Sequence, residues 1–120
     1  MKKVLLIEDS ASDAAHFQDC LEQQGFSVSR ASSGEEAEMK LKGQKPNLIL
    51  LDIILPGESG FELCRKLKQQ PDTQKIPIVL CSTKNTEVDI QWGKMGGADA
   101  YLTKPVDDKT LLETLSDLIP

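Results

Sequence analysis

Aromatic residues are scarce in this chain. They make up 4% of its 120 positions: one Trp, one Tyr and three Phe. That leaves little with which to stack nucleic-acid bases. Positive charge is also short, because 14 Lys and Arg face 19 Asp and Glu for a net charge of −5 and a pI near 4.8. Holding a phosphate backbone needs a surplus of cations, so nucleic acid is not an expected ligand. Cys20, Cys64 and Cys81 are odd in number, far apart and without a C-x-x-C pair. Each lies in an apolar pattern, which reads as buried reduced thiols rather than a zinc or redox site. No apolar run approaches the roughly 20 residues of a membrane span. Val4-Leu5-Leu6-Ile7, which meets Glu8-Asp9, is too short for a signal-peptide core. These features predict a cytoplasmic protein, with residues 1–120 forming one domain and no room for an effector module.

What the chain does have is an ordinary globular balance, 39% hydrophobic and 28% charged. Five short apolar runs stand out: Val4–Ile7, Ser27–Ala31, Leu48–Leu51, Ile78–Cys81 and Ala100–Leu102. The first, third and fourth are almost continuously hydrophobic, as strands covered on both faces must be. Helical patterns lie between them. The first runs from about Ser12 to Gln24, with Ala14, Phe17 and Leu21 on one stripe and Gly25 as its stop. Ser33-Gly34-Glu35-Glu36 and Ser59-Gly60-Phe61-Glu62 each fit a capping box that opens a helix. Thr86 is the expected cap of a fourth helix that ends before Gly96-Gly97. The fifth follows Pro105, with Asp107 near its start and Leu111, Leu115 and Leu118 facing inward. Five alternations of strand and helix predict an α/β fold, a doubly wound parallel sheet of flavodoxin-like (βα)5 type with strand order 2-1-3-4-5. Such a sheet carries its site at the carboxyl ends of the strands, where strands one and three diverge.

The residues at those ends form a consistent set. Strand one ends in Glu8-Asp9, strand three in Asp52, strand four in Ser82 and strand five in Lys104-Pro105. If strands one and three are neighbours, three carboxylates converge, and crowded like charges need a cation. Oxygen donors without His or Cys suit Mg²⁺ or Mn²⁺. The Lys104 ammonium and Ser82 hydroxyl, with that ion, would serve three phosphoryl oxygens, and the Asp52 carboxylate can serve as the aligned nucleophile. Taken singly, each of these residues is commonly a cap or a solvated loop residue; it is their joint placement that points to phosphoryl chemistry.

Glu8-Asp9, Asp52 with Leu55-Pro56-Gly57 and Gly60, Ser82, and Lys104-Pro105 together resemble the receiver domain of two-component response regulators, over the whole chain. The resemblance implies a CheY-like phosphoacceptor in which Asp52 takes a phosphoryl group from a sensor histidine kinase or phosphotransfer protein. It further implies that Glu8, Asp9, Asp52 and the backbone carbonyl of Ile54 hold Mg²⁺. Ser82 and Lys104 would then bond phosphoryl oxygens, and Tyr101 would stand at the aromatic switch position. The output face would be the fourth helix, fifth strand and fifth helix, presented to a downstream protein. Glu8 replaces a frequent aspartate, which predicts altered metal affinity rather than its loss. Ile54, two residues past Asp52, is expected to hinder attacking water. Trp92 reads as packing, and His16 as a solvated surface residue. The segment from Cys81 to Lys84, with Trp92-Gly93 and Gly96 to Tyr101, is similar to receivers of pilus-based motility systems, which implies a part in such motility or in phototaxis.

Rival readings fit less well. A hydrolase with an aspartyl nucleophile usually needs a second acid two residues on, where Ile54 stands. A nucleotide or flavin module lacks its glycine motif after strand one. A receiver fold that no longer takes phosphate would not need its intact acids. A receiver that only drains phosphate from a shared kinase remains an alternative to one that carries output. None of these is expected to be a turnover enzyme except the hydrolase.

Overall fold

The structure, a computed structural model, describes residues 2–120. Its elements run β1 (Lys3–Ile7), α1 (Ala11–Gln23), β2 (Ser27–Ala31), α2 (Gly34–Gly43), β3 (Leu48–Asp52), α3 (Gly60–Gln69), β4 (Ile78–Ser82), α4 (Glu87–Met95), β5 (Ala100–Thr103) and α5 (Asp108–Leu118). The five strands are all parallel in the order β2-β1-β3-β4-β5. Every residue of β3 and β4 is buried, as is all of β1 beyond Lys3. This is the physical reason their apolar runs do not alternate: both sides of each strand meet helices.

Two apolar clusters lie on opposite faces of the sheet. Leu5, Ile7, Ile49, Leu51 and Leu80 pack with Ala37 and Leu41 of α2 and with Leu63, Cys64 and Leu67 of α3. Val4, Leu6, Leu50 and Val79 pack with Ala14, Phe17 and Leu21 of α1 and with Leu111 and Leu115 of α5. Each fully buried Leu or Ile contributes roughly 2 kcal/mol, so the central strands anchor the sheet.

The helix ends show where the sequence signals hold and where they do not. Ser10, not a residue near Ser12, caps α1 by accepting from the Asp13 N–H, so the helix begins one residue earlier than the pattern predicts. Ser33 and Ser59 do cap α2 and α3, but the reciprocal halves of the expected capping boxes are absent. Glu36 turns to the N–H and hydroxyl of Ser32 instead, and Glu62 pairs with Arg65 at 2.9 Å. The complete box belongs to α4, where Thr86 and Asp89 bond each other's backbone. Gly25, at φ 89°, turns the chain after α1.

Three cysteines are buried and free, as expected. Burial pushes the Cys20 and Cys64 thiols up to about 11 and the Cys81 thiol up to about 12, so all three stay protonated and unreactive. Trp92 departs from its reading as packing: it is 53% exposed on α4, touching Phe61 of α3 with ring centroids 6.4 Å apart. His16 is exposed, with Nε2 3.3 Å from the Asp108 carboxylate on α5. No helix among the described residues is long and apolar enough to cross a membrane.

Gly60 joins the fold to the site. It opens α3 so close to the end of β3 that a Cβ there would lie 2.2 Å from the Asp52 carbonyl oxygen and 2.7 Å from the Ile53 Cα. Both contacts are backbone, so neither can swing aside. Gly60→Ala is therefore expected to lower stability by about 2–3 kcal/mol, read as an earlier urea midpoint. An unchanged midpoint would show that α3 and β3 can separate without cost.

Candidate functional site

The parallel register brings the strand ends together. Glu8 follows β1 and its N–H donates to Ala31 at 3.0 Å, continuing the ladder with β2. Asp52 ends β3 opposite Cys81, and Ser82 ends β4 opposite Thr103. The Lys104 N–H donates to the Ser82 carbonyl at 2.9 Å, fixing the start of the loop after β5. Glu8, Asp52 and Ser82 are all buried.

At the centre stands the Lys104 ammonium. Its Nζ lies 2.7 Å from Glu8 Oε1, 2.8 Å from Asp13 Oδ2 and 3.2 Å from Asp52 Oδ2. It also sits 5.9 Å above the Phe17 ring centroid, within reach of a cation–π contact. The other Glu8 oxygen accepts from the Ser10 N–H at 3.1 Å, and Asp52 Oδ1 accepts from the Ile54 N–H at 3.3 Å. From the far side, the Arg30 guanidinium of β2 donates to the Glu8 carbonyl at 3.0 and 3.1 Å and to the Asp9 carbonyl at 3.2 Å. Arg30 thus pins the backbone of both acids.

Burial is the largest influence on the Glu8 carboxyl and raises it. The hydrogen bond from Lys104 lowers it, Asp52 raises it again, and the balance is about 7. Burial opposes the Lys104 charge, but the bonds to Asp13 and Glu8 and the charge of Asp52 outweigh it, so this lysine holds its proton beyond the ordinary range.

The predicted residues are therefore gathered, with one difference among the acids. The three carboxylates expected to converge were Glu8, Asp9 and Asp52; those that meet are Glu8, Asp13 and Asp52, around an ammonium. Asp9 is exposed to solvent. Among the described residues, no three His, Cys, Asp or Glu side chains close on a point as metal ligands would. Their chemistry nonetheless fits a hard divalent cation. All donors are oxygens, and one ammonium serves three carboxylates with Asp9 close by in the chain, so positive charge is short at this edge. The two residues missed in the sequence are Asp13 and Arg30. A first-turn acid and a strand-edge arginine are common, and only the topology shows what they face.

The remaining predicted residues lie beside this cluster. The Ser82 Oγ accepts from the Lys84 N–H at 3.3 Å. The Lys84 carbonyl in turn accepts from the Tyr101 hydroxyl. Burial, then the charge of Asp89, pushes that phenol up to about 12, so it remains a donor. The Tyr101 ring runs beside Gly93 of α4, where a Cβ would come within 3.1 Å of it and within 2.8 Å of Leu80. Ile54 is 54% exposed at the mouth of the site.

Residues 4–116 match the family model described as response regulator receiver domain. The chain is 37% identical to protein PilH of Pseudomonas aeruginosa, over 99% of this chain and 98% of that one. It spans only about half the length of several curated transcriptional regulatory proteins that it also matches. Among solved structures, the chemotaxis protein CheY4 of Vibrio cholerae is 32% identical with a TM-score of 0.93, covering 99% of both chains. The Mn²⁺-bound form of response regulator Rcp1 is 31% identical with a TM-score of 0.83, covering 98% of this chain and 91% of that one.

The Glu8 environment makes a stability prediction. The unfolded carboxyl ionises near its ordinary 4.5, whereas the folded one keeps its proton to about 7. Between those values the folded chain binds more protons, so stability falls as pH rises through that window and levels off above it. Urea midpoints at about pH 5 and about pH 7.5 should show the fall, and Glu8→Gln should flatten it. A wild-type profile that is flat or rises there would contradict the assignment.

Proposed function

The chain belongs to the response regulator receiver domain family, and from that premise we propose that Asp52 accepts a phosphoryl group from the phosphohistidine of a sensor histidine kinase or phosphotransfer protein. The observation that carries the reading is the meeting of Asp52, Glu8 and Lys104 in one network at the carboxyl edge of the sheet, although Lys104 and Glu8 are 96 residues apart. An Asp52 carboxylate oxygen attacks phosphorus, the phosphorus–nitrogen bond breaks, and the donor imidazole leaves. Asp52 is nearly buried, and its Oδ1 is steadied by the Ile54 N–H, which leaves Oδ2, beside Lys104, as the nucleophile.

Glu8, Asp9, Asp52 and the Ile54 carbonyl are the residues we assign to Mg²⁺, or Mn²⁺ in its place. Bound there, the ion would offset the charge of the carboxylates and of the incoming phosphoryl oxygens. The Mn²⁺ form of the relative Rcp1 supports that class of ion. Lys104 donates to one phosphoryl oxygen and the Ser82 hydroxyl to another. The protein keeps the group as an acyl phosphate and loses it slowly to water, so it is a phosphoacceptor and not a turnover enzyme.

Readout follows from the two bonds of Lys84. Its N–H rests on the Ser82 hydroxyl and its carbonyl on the Tyr101 hydroxyl. Drawing Ser82 toward a phosphoryl group frees that N–H and shifts the loop that holds Tyr101, whose ring lies against α4. The face of α4, β5 and α5 would then change its affinity for a downstream protein. We assign the protein to the cytoplasm, where this receiver domain would act through contacts with other proteins rather than on DNA or a membrane. The match to PilH over nearly its full length supports a part in pilus-based motility.

Incubation with Mg²⁺ and phosphoramidate, followed by a phosphate-retarding gel, tests the assignment. Wild type should shift; Asp52→Asn and a chelator-treated sample should not. A shift retained by Asp52→Asn would place the acceptor elsewhere. Ile54→Asn, by admitting water at the mouth, should speed loss of the adduct about three- to tenfold. An unchanged rate would remove Ile54 from that role.

A further inference from the structure

Asp13 has no part in the proposal above, yet it holds Lys104 more closely than Asp52 does, at 2.8 Å against 3.2 Å. A lysine ammonium has three N–H donors and no more. Glu8, Asp13 and Asp52 take all three. Before the bond from Asp52 to phosphorus forms, Lys104 can therefore bond an incoming phosphoryl oxygen only when one of those carboxylates gives way. Glu8 is buried and fixed by the Ser10 N–H. Asp13 differs: it stands in the first turn of α1 with its side chain 45% exposed. It also lines a surface cleft with Phe17, Thr83, Lys104 and Pro105. The lysine end of the pair is only 11% exposed, so the contact is not one of the freely solvated surface pairs that contribute little.

We propose that Asp13 is a positioning residue that draws the Lys104 ammonium toward α1 and away from the incoming phosphoryl group, so that it slows phosphoryl acceptance by Asp52. This rests on the phosphoacceptor reading. The carboxylate competes with a phosphoryl oxygen for one N–H donor, and its negative charge faces the same cleft. Asparagine at this position keeps the shape and the helix-turn geometry while removing the charge that makes the competition strong.

The test uses the full chain with Mg²⁺ and phosphoramidate, comparing the rate constant of adduct formation in wild type, Asp13→Asn and Asp13→Glu. Mg²⁺ affinity is measured separately by calorimetry without the donor. Asp13→Asn should form the adduct roughly three- to tenfold faster, and Asp13→Glu, which still reaches the lysine, should restore the slower rate. Mg²⁺ affinity should change by less than about twofold. The gain should also vanish in a Lys104→Gln background, which a simple loss of repulsion between Asp13 and the donor would not do. An unchanged or lower rate in Asp13→Asn with an unchanged thermal midpoint would overturn the proposal. So would a shift in Mg²⁺ affinity as large as the change in rate, because Asp13 would then act on the metal side. No adduct on wild type would overturn the phosphoacceptor reading and this inference with it; an adduct on wild type without a gain in Asp13→Asn overturns this inference alone.

Discussion

One ammonium shared among three carboxylates organises the upper edge of this sheet. Lys104 meets Glu8, Asp13 and Asp52 within 3.2 Å, and its Nζ lies 5.9 Å above the Phe17 ring centroid. Burial raises the Glu8 carboxyl more than the bond from Lys104 lowers it, and with the added push of Asp52 it retains its proton to about 7. Under the proposed function, acids held in this way would take a divalent cation and then a dianionic group. Its chemistry follows from an imbalance that folding imposes, since the residues involved come from both ends of the chain.

The imbalance is maintained by rigid surroundings. Asp52 ends a strand with no exposed residue, and Gly60 lets α3 abut its backbone. Arg30 fixes the Glu8 and Asp9 carbonyls from β2, and Ser10 both caps α1 and supplies an N–H to Glu8. Movement is left to the segment after β4, where Lys84 alone links Ser82 to Tyr101 and where the next residues are exposed. On the proposed function, the first half would position the chemistry and the second would report it.

Much of this can be read from the sequence, for definable reasons. Unbroken apolar runs mark β1, β3 and β4 because their burial is two-sided, and strand–helix alternation then leaves few topologies. The acids, Ser82 and Lys104 are legible because each falls at a strand end, a position that the apolar pattern itself locates. Asp13 is hidden because its role depends on a residue 91 positions away. Arg30 is hidden because its partners are backbone carbonyls, which carry no sequence signal. The capping boxes expected at Ser33 and Ser59 fail for a similar reason: Glu36 and Glu62 found partners in Ser32 and Arg65. Trp92 reads as packing because large apolar side chains usually bury, but α4 turns its small Gly93 inward and leaves the indole half outside.

The lysine at the centre can be observed directly. With lysines labelled at Cε and Nζ, and Lys104 assigned by loss of its signal in Lys104→Arg, an NMR titration without divalent ions reports how strongly the three carboxylates hold it. The account predicts that Lys104 titrates above the ordinary lysine range and that its resonance moves when Mg²⁺ is added, as the carboxylates gain a second cation. A Lys104 that titrates with the surface lysines and ignores Mg²⁺ would contradict it.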